Sequence, residues 1–550
     1  MGASSRTAAR VLVEQLAIQR VDTVFAVPGE SFLAVLDALL DQPNMRLVGA
    51  RHEGGAAMMA DAFGKLTGRP GVCFVTRGPG ASNAASGLHI AAQDSTPLIL
   101  FIGQVARGVM ERGAFQEIDY RRVFGSLAKW VAQIDEPARI PEMIARAFRV
   151  AMSGRPGPVV LALPEDMLSE FIDVADAPTV TRVAAGVGPR DLERLRSLVT
   201  TASRPLLVVG EGGWSTRAAD DLRQFAERFD LPVCASFRCQ DYLDNDHECY
   251  VGDVGIGMNP VLRGRIDEAD LIVALGARFG EIPSQGYTLL GIPAPRQQFV
   301  QIDPSAEELG RVYQPDLAIQ AGLEEATTAL ATPEAPARVA WSGWRKAARS
   351  AYLEWSRPPP TPAGLDLGQI IVWLRERLSD DAILCNGAGN YSVWLHRYFR
   401  YRRYRTQLAP ICGAMGYGLP AAIAAILVHP QSQVVCLAGD GCLQMSIQEL
   451  GTAAQEGLGI VVIVVNNRSY GTIRMHQERT FPGRVVGTDL RNPDFAALAE
   501  SFGALGLTVR HDRDFPDAFD RAIAHLGPSV IELQVDPRVI LPGLTIDQLT

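Results

Sequence analysis

Apolar runs of four to seven residues, rich in β-branched side chains, alternate with helix-length amphipathic segments along most of this chain. Examples are Thr23–Val27, Val72–Thr76, Leu98–Ile102, Leu206–Val209, Leu271–Leu275, Val434–Leu437 and Ile460–Val465. A strand that is apolar on both sides must be covered on both sides, as in a parallel sheet between layers of crossover helices. The chain has 550 residues, and a single core stops growing at roughly 250–300 residues, so several such sheets are expected. Two composition breaks divide it: the stretch from Glu165 to Arg190, and the stiff Pro-rich connector Arg357–Gly364 (RPPPTPAG). The expectation is three doubly wound parallel-sheet α/β domains, over 1–170, 188–330 and 365–540. No short-period repeat is present, which excludes solenoids and propellers.

Charge and composition narrow the partners. With 52 basic against 61 acidic residues, a net charge of −9 argues against general affinity for nucleic acid or anionic membrane. The basic run Arg397–Arg405 (RYFRYRRYR) lies between periodic segments and reads as a solvated or interface stretch. No window approaches the ~18 consecutive apolar residues of a membrane span. The N-terminal MGASSRTAARVLVEQLAIQR lacks the apolar core of a secretion signal and reads as a first amphipathic helix. The eight cysteines are scattered, without a C-x-x-C pair, so buried thiols in a reducing cytoplasm are expected.

Ligands of such sheets gather beyond the carboxyl ends of the strands, so the chemistry belongs in the turns after the apolar runs. After Val434–Leu437 come Gly439-Asp440-Gly441-Cys442, then Ser446 and Glu449 at capping-box spacing, opening a helix to about Glu456. The next run ends in Asn466-Asn467-Arg468-Ser469-Tyr470-Gly471. In a parallel strand–helix–strand unit both turns face one edge, which brings Asp440 and Asn467 side by side. A carboxylate, an amide oxygen and a backbone carbonyl suit a hard divalent cation such as Mg²⁺, which takes phosphate oxygens and waters as its remaining ligands. Glycines and amide N–H groups at the helix start favour those phosphates. In the first block, Arg51-His52-Glu53 follows a strand-like run and opens a helix of small residues; Glu53 there either stabilises the helix start through its dipole or, partly desolvated, holds and shares a proton.

The Gly439-Asp440-Gly441 turn followed by Asn466-Asn467 resembles the thiamin-diphosphate motif. The match continues in RHE (51–53), GPGASN (78–83), GQV (103–105), AFQE (114–117) and Gly413-x-Met415-Gly-x-Gly-Leu-Pro420. The whole chain is similar to the acetolactate synthase and 2-oxoacid decarboxylase branch of those enzymes. The resemblance implies that Asp440, Asn467 and the Ser469 carbonyl hold Mg²⁺. It places Pro28, Asn390, Tyr391, Gly413, Gly441, Cys442, Tyr470 and Gly471 against thiamin diphosphate, with Met415 wedged between its rings. It makes Glu53 the catalytic residue that protonates the aminopyrimidine ring, and puts Phe115, Gln116 and His89 on the substrate side, with Lys129 near the pocket. Cys442 stands where similar proteins often have serine or alanine, and reads as a packing choice.

Two departures matter. His476, in Ile473-Arg-Met-His-Gln-Glu478, replaces a tryptophan that in acetolactate synthases helps select the second oxoacid. FAD is a candidate ligand of the middle block, through Gly210-Glu-Gly-Gly213, Gly276-Ala-Arg-Phe279 and Gln301-Ile-Asp-Pro304, yet Val251–Met258 lacks an expected histidine. Three functions therefore stand: a carboligase acting on pyruvate or a related 2-oxoacid, a decarboxylase for a larger oxoacid such as benzoylformate, and a non-catalytic nucleotide-binding homologue. The resemblance further implies a homodimer or homotetramer with active sites between subunits.

Overall fold

The computed structural model describes residues 5–332 and 339–549. The first four residues of the expected N-terminal helix lie outside that range, and the helix itself begins at Ala8, with Thr7 capping it by accepting the Arg10 N–H. By its contacts the chain forms two compact units. One runs to Val183 and takes in Leu419–Pro430 and Ser446–Leu458; the other holds Ala184–Gly418, Gln431–Met445 and the chain from Gly459.

The first unit carries a six-stranded sheet: β1 Thr23–Ala26, β2 Arg46–Gly49, β3 Gly71–Val75, β4 Leu98–Gln104, β5 Trp130–Gln133 and β6 Pro158–Pro164, in the order β2-β1-β3-β4-β6-β5. Every ladder in it is parallel. All seven residues of β4 and of β6 are buried, as strands covered on both faces must be.

The second unit holds two more six-stranded parallel sheets. In the first, β7 Pro205–Val209, β8 Val233–Ser236, β9 Tyr250–Val254, β10 Leu271–Leu275, β11 Gln298–Asp303 and β12 Leu317–Gln320 run in the order β9-β8-β7-β10-β11-β12. In the other, β13 Ile383–Asn386, β14 Gln407–Leu408, β15 Val434–Gly439, β16 Ile460–Asn466, β17 Leu505–Val509 and β18 Ser529–Gln534 run in the order β14-β13-β15-β16-β18-β17. The outer two sheets of the chain therefore share one topology. In each the connections diverge between the first and third strands, which opens a crevice there.

The helices that bear on the site are α1 Ala8–Ile18, α2 Glu53–Thr67, α3 Gly78–Gln93, α4 Tyr120–Phe124, α5 Ile140–Met152, α6 Tyr391–Tyr398, α7 Asp440–Leu443, α8 Glu449–Gln455 and α9 Gly471–Thr480. Small residues let α2 and α3 nearly touch: a Cβ on Gly87 would lie 2.5 Å from that of Ala57. The basic run is tied down by its own unit, with Arg400 and Arg402 bonded to Asp246, Arg402 also to Asp380, and Arg397 stacked over Trp355. Seven of the eight cysteines are buried and all are free thiols. Among the described residues no helix is long and apolar enough to cross a membrane.

Candidate active site

A cavity of about 270 Å³ opens at the carboxyl edge of the third sheet, over the crevice between β13 and β15. Its polar end is built by three turns. Gly389, Asn390 and Tyr391 follow β13; Asp440, Gly441 and Cys442 follow β15; Asn467, Ser469, Tyr470 and Gly471 follow β16. Gly413 and Met415 line it as well, so eleven of the residues expected from the sequence share one wall. Apolar side chains, among them Leu365, Trp394, Val465 and Ile540, complete its lining.

The β15–β16 register explains the metal-like turn. Gly439 pairs with Val465, so the two strands end together and Asp440 and Asn467 leave the same edge. Asp440 is 2% exposed, and its oxygens accept from the Gly441 N–H at 2.9 Å and from Asn492 Nδ2 at 2.7 Å. Burial pushes its carboxyl above the ordinary range despite those donors. Arg468 turns the chain at φ +57°, which lets the Asn467 amide oxygen accept the Ser469 N–H at 3.1 Å. The Ser469 hydroxyl is buried in this wall without a hydrogen-bond partner. A buried carboxylate, an amide oxygen and an unsatisfied hydroxyl around one cavity fit a hydrated divalent cation.

Beneath the cavity, Tyr391 accepts the Gly387 N–H at 3.1 Å and its hydroxyl meets Cys442 Sγ at 3.4 Å. That sulfur also accepts the Gly416 N–H at 3.3 Å. The Cys442 thiol, expected to be packing, thus ties the turn after β13, the Met415 turn and the start of α7 together. Asn390 is held by Thr472 at 2.8 Å and by the Ile540 carbonyl at 3.0 Å. Gly441 leaves no space for a side chain, since a Cβ there would lie 2.5 Å from the Tyr470 ring.

The expected Ser446–Glu449 capping box does not form. The segment breaks into α7 and α8, and α8 starts at Glu449 without a side-chain cap. The Glu449 carboxylate, 0% exposed, instead accepts the Arg51 N–H on both oxygens at 3.2 Å and the Thr452 hydroxyl at 2.8 Å. Burial pushes its carboxyl up.

The other group of expected residues lies at the carboxyl edge of the first sheet. Glu53 is the first residue of α2; His52 caps that helix by accepting the Gly54 N–H on Nδ1. Glu53 Oε2 accepts Asn83 Nδ2 at 2.9 Å, and its Oε1 lies about where a Cβ on Gly80 would touch it, at 3.1 Å. Pro28 follows β1, exposed. The loop after β4 returns onto the start of α3, where the Gln116 carbonyl, at φ +65°, accepts the Gly78 N–H.

Four expected residues sit apart from these groups. His89 is exposed on α3, Phe115 is 75% exposed on its loop, and His476 is exposed on α9, outside the cavity that its neighbours Thr472 and Ile473 line. Lys129 requires a correction: it precedes β5, at the amino end of the sheet, where its ammonium donates to the carbonyls of Val150, Ser153 and Arg155 and closes the end of α5. Asn492, Asn83 and Glu449 were missed. Asn492 lies 52 positions beyond Asp440 and reaches it because the chain folds back, Leu490 pairing with Arg468, so no local pattern announces it.

The comparisons agree with this geometry. Residues 6–123 match the thiamine pyrophosphate enzyme N-terminal TPP binding domain, 192–330 the central domain and 387–533 the C-terminal TPP binding domain. An acetolactate synthase large subunit of Parasynechococcus marenigrum is 32% identical over 540 residues, 96% of this chain and 87% of the relative. That of Corynebacterium glutamicum is 31% identical over 533 residues, 94% and 84% respectively. The acetolactate synthase isozyme 2 large subunit of Escherichia coli is 30% identical over 531 residues, 96% and 95%. Three TPP-enzyme domains in order, with full-length kinship to acetolactate synthases, place the chain in the thiamin-diphosphate-dependent enzymes, as an acetolactate synthase-like member.

Proposed function

We propose that this enzyme decarboxylates pyruvate or a related 2-oxoacid and joins the remaining fragment to a second carbonyl, using thiamin diphosphate and Mg²⁺. The observation that carries it is one cavity of about 270 Å³ lined both by Asp440, Asn467 and Ser469, whose hydroxyl lacks a partner, and by apolar side chains. That mixed lining matches a ligand that carries both a diphosphate and aromatic rings. Asp440, Asn467 and the Ser469 carbonyl would hold the cation; Gly441, Cys442, Tyr470 and Gly471 the diphosphate; Met415 the rings.

When bound, the cofactor supplies a carbon nucleophile and an electron sink for the loss of CO₂. Glu53 holds the proton that activates it, in a carboxyl steered by Asn83 at 2.9 Å. Glu449 fixes the strand-to-helix corner from which Glu53 projects. The carboligase reading is preferred over simple decarboxylation because the relatives matched over nearly the whole chain are acetolactate synthases.

FAD fits poorly. Glu211, in the turn after β7 where a pyrophosphate would dock, is 4% exposed, and its Oε2 is buried without a partner while Arg278 reaches only Oε1, at 3.4 Å. A buried carboxylate there repels a diphosphate, so no step is assigned to a flavin. Exposed apolar side chains at the catalytic edges, Leu33 and Phe115 in the first unit and Ile473, Phe481 and Val486 in the second, support an oligomer that covers them. A cytoplasmic homodimer or homotetramer is part of this reading.

Glu53→Gln tests the mechanism. The variant should bind thiamin diphosphate and lose exchange of its C2 proton, followed by NMR; unchanged exchange removes Glu53 from the reaction.

A further inference from the structure

Arg77 is an anomaly at the crevice of the first sheet. It follows β3 and precedes α3, is 8% exposed, and its Nε is buried without a hydrogen-bond partner. Its Nη2 lies 3.7 Å from Glu30 and 3.6 Å from Glu165, beyond hydrogen-bond reach, and those side chains are 80% and 38% exposed. Tyr120 lies beside it: 3% exposed, its hydroxyl is buried without a partner, next to Arg77 and the Gly78 N–H. Burial pushes that hydroxyl well up, so it stays a protonated donor. A nearly buried guanidinium and a phenol, both lacking acceptors, at the N-terminus of a 16-residue helix form a set of donors without an anion.

We infer that Arg77 and the Tyr120 hydroxyl, at the positive end of the α3 dipole, form a carboxylate-binding subsite, and that the carboxylate is one the reaction retains. A guanidinium paired with the carboxylate that leaves as CO₂ would stabilise charge that must be lost, and would slow the step. A carboxylate that stays carries no such penalty. It belongs either to a second 2-oxoacid that accepts the fragment, or to the far end of a dicarboxylic donor. Binding draws the guanidinium from Glu30 and Glu165, which remain solvated at the rim. The inference rests on the 2-oxoacid reading above and names its specificity residue.

The test is calorimetric titration of the full-length protein, loaded with thiamin diphosphate and Mg²⁺, with L-lactate and glutarate, which carry carboxylates but no reactive carbonyl. Binding to the wild type should weaken roughly ten- to hundredfold in Arg77→Gln, recover in part in Arg77→Lys, which keeps the charge but not the fork, and weaken a few-fold in Tyr120→Phe. Tighter binding of lactate assigns the subsite to an acceptor oxoacid; tighter binding of glutarate assigns it to a dicarboxylic donor. No binding to the wild type, or equal binding to wild type and the Arg77 and Tyr120 variants, overturns the inference. C2 exchange on the same preparation separates the two levels. Exchange without carboxylate binding sinks the subsite alone, and absent exchange sinks the underlying reading.

Discussion

Replacing Gly55 with alanine isolates the contact between the glutamate helix and the buried Glu449. Helix propensity alone predicts a gain of about 1 kcal/mol, because Gly55 lies inside α2. The structure predicts the opposite. The added Cβ would stand 2.5 Å from Glu449 Oε1 and 2.8 Å from its Cδ, and Glu449 is 0% exposed. Ordinary contact near 3.5 Å requires a retreat of roughly 1 Å, which takes the carboxylate out of reach of the Arg51 N–H now 3.2 Å away. Losing a hydrogen bond to a buried charged group costs about 1.5–3 kcal/mol. With about 1 kcal/mol of strain added and the propensity gain subtracted, Gly55→Ala should destabilise the first unit by about 2 kcal/mol. Urea unfolding, with hydrogen exchange of the Arg51 and His52 amides to localise the change, measures it. Glu449→Asp, one methylene shorter, makes room, so Gly55→Ala should cost less in that background than in the wild type, a coupling between neighbours. Stabilisation by about 1 kcal/mol in both backgrounds would refute the reasoning and leave Glu449 without a role at this corner.

Asn492→Ala removes the donor to Asp440 Oδ2 and should weaken Mg²⁺ binding about 10- to 100-fold, read from the Mg²⁺ dependence of cofactor binding; an unchanged dependence frees Asn492 from the site. Asp241, 4% exposed, is pushed up to about 6 by burial, although it accepts the Thr406 and Gln407 N–H groups. A raised folded pKa means that its contribution is full below the unfolded value near 3.9 and is lost as pH rises through about 6. Asp241→Asn should therefore gain on the wild type by about 2 kcal/mol between pH ~4.5 and ~7.5, in urea midpoints taken at both; parallel curves contradict this. The purified protein should show no visible flavin absorbance, because Glu211 occupies the phosphate turn; a stoichiometric flavin spectrum would overturn that assignment.

The sheets were legible because strands buried on both faces leave nearly unbroken apolar runs: Val434–Leu437 and Ile460–Val465 fall inside β15 and β16. The cavity wall was legible because a parallel ladder sends successive strand ends to one edge, and nine of the expected residues lie in those turns. What the sequence hid was long-range. Ser446 and Glu449 have the spacing of a capping box, but Glu449 bonds Arg51, 398 positions away, and tertiary burial overrode the local rule. Lys129 looked like a pocket cation, and only the strand direction shows that it closes the far end of α5. Nothing in the sequence marks Arg77; its significance lies in an Nε without an acceptor, which no sequence displays.

Product analysis tests the proposed chemistry most directly: purified protein with thiamin diphosphate and Mg²⁺ is given pyruvate, and the products are resolved by mass. CO₂ together with a coupled acetolactate-type product is expected. Free acetaldehyde as the sole organic product, or no CO₂ from any 2-oxoacid while the cofactor is bound, would contradict it.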